Sequence, residues 1–209
     1  METGKTSAES PPGKVKGRGR RVRGKEGILD AAAQLFYERG YPQTSIRAIA
    51  AKAGIESASL YYHFPSKEDI LYAVEKEAFD RLESKLIDEL EGKTEPWDRL
   101  EVACITHVRA ILENREYISV TTRELPQNQS EESRDKFLTL RDEYENIFRG
   151  LIDALPLNDE INRKYFRLGL IGALADTLVW YREGGADSPE QIALEILNTF
   201  RKPCDPRFM

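Results

Sequence analysis

The chain has 209 residues, 40% hydrophobic and 32% charged, which supports one large or two smaller packed domains and excludes disorder throughout. Its most apolar stretch, Leu168–Trp180, is broken by Gly169, Gly172 and Asp176, so no membrane span is expected; the N-terminus lacks an apolar signal core, and two cysteines with two histidines argue against a disulfide framework or a zinc site, leaving a reducing cytoplasm with no metal or cofactor as the expected setting. The net charge of −5 is uneven: residues 1–67 carry twelve Lys/Arg against six Asp/Glu, a net of +6, and residues 68–209 carry nineteen against thirty, a net of −11, so a polyanionic partner is expected for the head alone.

Residues 1–23 read as a disordered arm rich in Ser, Pro and Gly, with a basic run at Lys14, Lys16, Arg18, Arg20, Arg21 and Arg23. Two readings are open: a solubilising leader, or an arm that reaches a DNA backbone or minor groove and releases counterions there. From Lys25 the pattern is helical, with Ile28, Ala31, Ala32, Leu35 and Phe36 at helical spacing and Gly40 as a stop. Thr44 and Ser45 are good N-caps for a short helix lined by Ile46, Ile49, Ala50 and Ala53, which Gly54 breaks. Ser57–Phe64 is a third short helix, stopped by Pro65. Ser66 and Asp69 cap a fourth, running to about Leu90 with Ile70, Leu71, Val74, Ala78, Leu82, Leu86 and Leu90 as its stripe.

Further helices are expected over Trp97–Leu112, with Leu100, Ile105, Val108 and Leu112 inward, over Tyr117–Leu125, ended by Pro126, and over Ser133–Leu155. A very apolar one follows over Glu160–Glu183, broken by Gly184-Gly185, with Asp176 as a buried acid. Ser188-Pro189-Glu190-Gln191 opens the last with N-cap, Pro at N1 and Gln at N3. No period-two run and no internal repeat occur. The fold class is all-α, about nine helices, divided into the arm 1–23, a helix-turn-helix head 24–67 and a larger helical domain 68–209.

The segment Ile28–Lys67 carries the functional signal. Helix, short helix, Gly-containing turn and short helix form a helix-turn-helix layout, whose second short helix fits the roughly 12 Å major groove of DNA. Leu60 and Phe64 anchor that helix inward. Ser57, Ser59, Tyr61, Tyr62 and His63 offer donors and aromatic edges outward. Taken singly, Tyr61 and Tyr62 also read as rim or core aromatics, His63 as a structural histidine, and Arg47 and Lys67 as solvated charges.

The run Thr44-Ser45-Ile46-Arg47-Ala48-Ile49-Ala50-Ala51-Lys52-Ala53-Gly54-Ile55, followed by Ser59-Leu60-Tyr61-Tyr62-His63-Phe64-Pro65-Ser66-Lys67-Glu68, closely resembles the DNA-binding signature of the tetracycline-repressor (TetR/AcrR) family. The resemblance implies an all-helical homodimer whose head binds a palindromic double-stranded DNA operator and whose larger domain binds a small-molecule inducer. It implies that Thr44 caps helix 2 with hydroxyl and amide toward a phosphate, Ser45 lying beside it, and that Arg47 reaches a phosphate or a guanine edge. Ser57, Ala58 and Ser59 then form the leading turn of the recognition helix. Tyr61, Tyr62 and His63 become aromatic phosphate contacts, and Lys67 pairs with phosphate. Ser57-Ala58-Ser59 has no long base-reading side chain, so readout falls to Arg47, to small contacts such as Ala58 with a thymine methyl, and to DNA shape.

In the larger domain, Thr122-Arg123-Glu124-Leu125, Leu140–Glu145, Val179–Gly185 and Ser188–Ala193 look like the subgroup that senses acyl-CoA thioesters, although Asp176 departs from its pattern. Cys104, Ile105, Val108, Val120, Phe148, Phe166, Leu170 and Leu174 are candidates to line an effector pocket. Arg123, Arg141 and Arg167 are candidates to meet an anionic head group. The alternative is that these are core residues and surface ion pairs, and a drug-like aromatic or cationic effector stays open. His107 reads as a core or pocket-edge histidine. Gly169, Gly172 and Ala173, with the stripe Ile192, Ile196, Leu197 and Phe200, mark the last two helices for close packing, within the chain or, as the resemblance implies, across a homodimer. An enzyme is disfavoured, since no nucleophile–base pair, phosphate loop or metal cluster occurs. A protein-binding adaptor is disfavoured by the basic head and the helix-turn-helix.

Overall fold

The computed structural model describes residues 24–123 and 130–205, with side chains omitted at 122 and 123. The expected arm, the stop at Pro126 and the side chain of Arg123 lie outside the described residues. Those residues form nine helices and no strand: α1 (Lys25–Arg39), α2 (Ile46–Ala53), α3 (Ser57–His63), α4 (Lys67–Leu90), α5 (Pro96–Glu113), α6 (Arg115–Arg123), α7 (Glu131–Asp153), α8 (Arg163–Trp180) and α9 (Pro189–Arg201).

The helix ends follow local chemistry. Ser66 accepts the Asp69 N–H and closes α4 at its N-terminus. Ser188 and Gln191 make a reciprocal capping box at α9. Three helices differ from expectation at their ends. α6 begins at Arg115, α7 at Glu131 behind the cap Ser130, and α8 is shorter at both ends because Asn162 accepts the Lys164 and Tyr165 N–H groups while Tyr181 is already extended. The last carbonyls of α8 do not go unpaired: Arg115 donates to Leu178 and Tyr181 at 3.3 and 3.2 Å.

α4 is the spine. Its whole expected stripe, Ile70 to Leu90, is buried, together with Glu75. It packs against α1, α5, α6 and α7. α5 runs through the centre of the larger domain, in contact with α4, α7, α8 and α9. Its buried face is Trp97, Leu100, Ala103, Cys104, His107, Val108 and Ile111; Ile105 and Leu112, expected inward, are only half-buried at its margins.

One expectation for the C-terminal helices needs correction. Asp176 is exposed, because α8 is apolar on more than its core side and the acid falls on the outer one. The α9 residues Ile192, Ala193 and Leu197 are buried on a helix packed against α5, and Phe200 lies 3.0 Å from where a Cβ on Gly169 would sit. That glycine therefore serves packing within the chain. The open apolar surface belongs to α8, where Tyr165, Leu168, Val179 and Trp180 are exposed and nothing lies within 4 Å of a Cβ placed on Gly172.

Candidate functional site

The α2–turn–α3 unit is held from both ends. Ser45 is the α2 cap, its hydroxyl accepting the Ala48 N–H at 3.2 Å. Thr44 is not the cap. It is buried, its hydroxyl donates to the Gly40 carbonyl at 2.9 Å with the Leu35 carbonyl 3.3 Å away, and its amide donates to Tyr41. Hydroxyl and amide are both committed to the α1–α2 turn. At the other end Gly54 takes φ 70°, ψ 34°, left-handed backbone that favours glycine, and its N–H closes α2 on Ala50 and Ala51. That reversal sets α3 across α2.

Leu60 and Phe64 are buried, so the rest of the seven-residue α3 faces out. Tyr62 is 88% exposed and Tyr61 52%. The Tyr62 and His63 rings meet edge-to-face at 5.4 Å. Ala58, Ser59, His63 and Arg47 are exposed and Ser57 is half-buried. The structure therefore leaves Ser45, Arg47, Ala58, Ser59, Tyr61, Tyr62 and His63 all exposed on the α2–α3 unit.

Lys67 stands apart. Its Nζ donates to the Tyr41 carbonyl at 2.9 Å and the Thr44 carbonyl at 3.0 Å, and lies 4.1 Å from the centroid of the Tyr41 ring. Two carbonyls and a ring face occupy the three N–H directions of an ammonium. This lysine ties the start of α4 to the turn that precedes the α2 cap. The charge of the head is concentrated elsewhere: residues 24–67 carry five Lys/Arg and four Asp/Glu, so +5 of the head's +6 resides in residues 1–23.

Behind the outer surface, three helices meet at one polar cluster. Tyr117 of α6 donates to Asp30 of α1 at 2.6 Å. Arg81 of α4 lies 3.7 Å from the same carboxylate and 4.0 Å from the Tyr117 ring. Burial, and then the Asp30 hydrogen bond, push the Tyr117 hydroxyl far above its ordinary value, so it stays a donor. Sequence inspection missed this cluster.

The expected effector residues separate into two groups. Cys104, Val108, Phe148, Phe166 and Leu170 are all buried in the common core. Arg141 is exposed on α7 and pairs with Asp142 at 3.0 Å and Glu145 at 3.5 Å. Arg167 pairs with the same Glu145 at 3.1 Å. These two arginines meet a carboxylate between α7 and α8 and do not reach the core residues. Arg167 does line a surface cleft of about 300 Å³ with Arg149, Ile152, Asp153, Arg163 and Lys164, four cations to one acid. No described helix is long and apolar enough to cross a membrane, and no group of three or more His, Cys, Asp or Glu among the described residues is placed to hold a metal.

Within the core, His107 is one of two described residues, with Trp97, whose buried side-chain nitrogen has no hydrogen-bond partner. Its Nδ1 lies 2.7 Å from the Tyr144 hydroxyl, while Nε2 is buried without a hydrogen-bond partner. An orphaned buried nitrogen costs about 1–3 kcal/mol. Burial pulls its pKa down to about 4, so the ring is neutral at physiological pH. The unfolded chain takes up this proton near pH 6.5 and the folded chain only near 4, so stability is full above about 6.5 and is lost as pH falls toward 4. His107→Phe is expected to remove about 2–3 kcal/mol of the stability difference between pH 7 and 4.5. Urea unfolding of both proteins at the two pH values checks this.

Comparison with known proteins agrees with this geometry. Residues 28–74 match the model for bacterial regulatory proteins of the tetR family, and residues 93–203 match that for the tetracyclin repressor-like C-terminal domain. The transcriptional repressor KstR2 of Rhodococcus jostii is 30% identical over 176 residues, covering 82% of this chain and 86% of that protein. The fatty acid metabolism regulator protein of Bacillus subtilis is 29% identical over 155 residues, covering 72% and 79%. The crystal structure of AibR in complex with isovaleryl coenzyme A and operator DNA superposes with a TM-score of 0.72 at 22% identity, covering 83% of this chain and 96% of that one. A helix-turn-helix with exposed aromatic residues on α3, backed by a matching C-terminal helical domain, places the chain in the TetR family of bacterial transcriptional regulators.

Proposed function

We propose that the protein is a cytoplasmic homodimeric repressor, with residues 24–67 reading a palindromic operator and residues 68–209 pairing the protomers and binding an effector that releases the DNA. The observation that carries the DNA reading is the exposed set Arg47, Ala58, Ser59, Tyr61, Tyr62 and His63 on the α2–α3 unit. Arg47 supplies the base-reaching guanidinium, the hydroxyls and imidazole supply phosphate donors, and the bare Ala58–Ser59 turn leaves part of the readout to DNA shape. A mobility-shift assay on the DNA upstream of the coding gene tests it. Arg47→Ala is expected to weaken binding and relax sequence preference; unchanged preference overturns the assignment.

Because most of the positive charge precedes residue 24, the arm is the main counterion-releasing element in this reading. Removal of residues 1–22 deletes six Lys/Arg and two Glu. It is expected to leave the fold intact and to lower both operator affinity and its salt dependence, each phosphate contact being worth about 0.9 in the log–log slope. Equal slopes for the two proteins overturn the role of the arm.

For the effector, the first choice is an apolar molecule with an anionic end, an acyl-CoA thioester in particular. Support comes from the cation-lined cleft of Arg149, Arg163, Lys164 and Arg167 and from the likeness to a regulator of fatty acid metabolism. Calorimetry with thioesters and their free acids, with and without operator, decides it: linkage requires DNA and effector to weaken each other by one factor. A thioester that binds equally well to free and DNA-bound protein is not the inducer. If neither class binds, an uncharged or cationic aromatic effector replaces it.

A further inference from the structure

α4, α5 and α7 enclose a layer of rings in the larger domain. Phe79 lies 6.0 Å from Phe137 and 6.0 Å from Tyr144. His107 stacks on Tyr144 at 5.7 Å and 25°, and meets Phe148 edge-on at 5.7 Å. His107 itself is 4% exposed. A phenylalanine would fill such a position without leaving any polar atom buried, yet here one imidazole nitrogen has no partner. The flanking phenylalanines carry no hydrogen-bonding group to hold a bridging water, which needs two to four polar partners.

The Tyr144 contact fixes which hydrogen-bonding role is left over. If Nδ1–H donated to the phenol oxygen, the phenol proton and the Nε2 lone pair would both lack partners. If the phenol donates to Nδ1, a single group is unpaired: an Nε2–H donor. We propose that His107 Nε2–H is the polar anchor of the effector inside this domain, and that the effector presents to it an uncharged carbonyl oxygen carried on an apolar body: a ketone, an ester or a thioester. A carboxylate does not fit the position, since a charge among rings loses its hydration without an ionic partner. Phe79 is the half-buried ring of the layer. The inference rests on the reading that this domain binds a small molecule, and adds the functional group it selects.

The chain has two histidines, one exposed on α3 and one buried here, so protein labelled with ¹⁵N-histidine reports two imidazoles. In the full-length dimer, His107 is expected as the Nε2–H tautomer, with Nδ1 accepting. Titration with 2-undecanone is expected to shift the His107 Nε2–H resonance and leave His63 unmoved, whereas undecane shifts neither. The ketone is expected to bind about tenfold tighter than the alkane to the parent protein and equally to His107→Phe. The spectrum of the parent protein needs no variant, so a poorly folding substitution does not blunt the test. An Nδ1–H tautomer, or a bound ketone that leaves Nε2–H unshifted, overturns the proposal while leaving an effector domain in place. Failure of ketone, alkane and thioesters alike to bind overturns the effector reading together with it.

Discussion

Leu168→Asp combined with Val179→Asp is expected to split the dimer into monomers and to weaken operator binding by at least about a hundredfold. The two residues are 42% and 81% exposed on the outer face of α8, between Tyr165 at 67% and Trp180 at 48%. Four large apolar side chains on a single helix face form the kind of patch that marks an interface. Gly172 sits between them with open space above it, so a second helix backbone has room to approach closely. In a two-fold interface each residue recurs on the partner, so every introduced carboxylate is buried twice, near its own copy. Each unpaired buried charge costs about 3–5 kcal/mol. Loss of the pairing removes the second head from the operator, and with it an effective concentration in the millimolar range that contributes about 10²–10⁴ in affinity. The heads need a spacing of about 34–36 Å to enter successive major grooves. Sedimentation reads the oligomeric state and a mobility shift reads the affinity. A variant that remains dimeric moves the interface away from α8.

The second large effect concerns Lys67. Lys67→Met keeps most of the aliphatic stem and removes the ammonium. It is expected to lower operator affinity about tenfold or more without changing the salt dependence. The ammonium is held by the Tyr41 and Thr44 carbonyls and the Tyr41 ring. Hydrogen bonds to a charged group contribute about 1.5–3 kcal/mol, and here they fix the turn that delivers Ser45 to the α2 N-terminus. Their loss blurs the angle between α2–α3 and α4, which costs affinity on every sequence. In this reading it releases no counterion difference, because the ammonium is engaged within the chain. A family-type phosphate contact gives a different result: the slope of log K against log salt falls by about 0.9 per head. Lys67→Arg separates the two further, since a guanidinium reaches phosphate well but does not fit a site shaped for a compact ammonium.

The head was legible because its chemistry is local. Cap, glycine turn and anchors lie within Thr44–Lys67, and each reports on neighbours a few positions away. Ser188-Pro189-Glu190-Gln191 was legible for the same reason. The backbone contacts of Lys67 were not legible because its acceptors lie 26 and 23 positions back, and Tyr117 was overlooked because Asp30 is 87 positions away. Periodicity found α8 but gave no sense of which side of an all-round apolar helix faces out, hence the misassigned Asp176. The arginines proposed for an anionic ligand share Glu145, and nothing in the spacing of charges distinguishes an ion pair within the chain from one awaiting a guest.

The Asp30–Arg81–Tyr117 cluster bears on how interchangeable regulators of this architecture are. A chimera that grafts a foreign reading head onto Ser66 brings its own first helix to Tyr117. Unless that helix carries an acid in place of Asp30, a phenol is buried without an acceptor and Arg81 loses a counter-charge. Such a graft inherits the donor's DNA preference but not a matched joint, and the swap behaves as a lesion at the seam. The first helix, though it belongs to the head by position, packs against α6 as well as against α2, so a transplanted head needs a first helix matched to Tyr117 and Arg81.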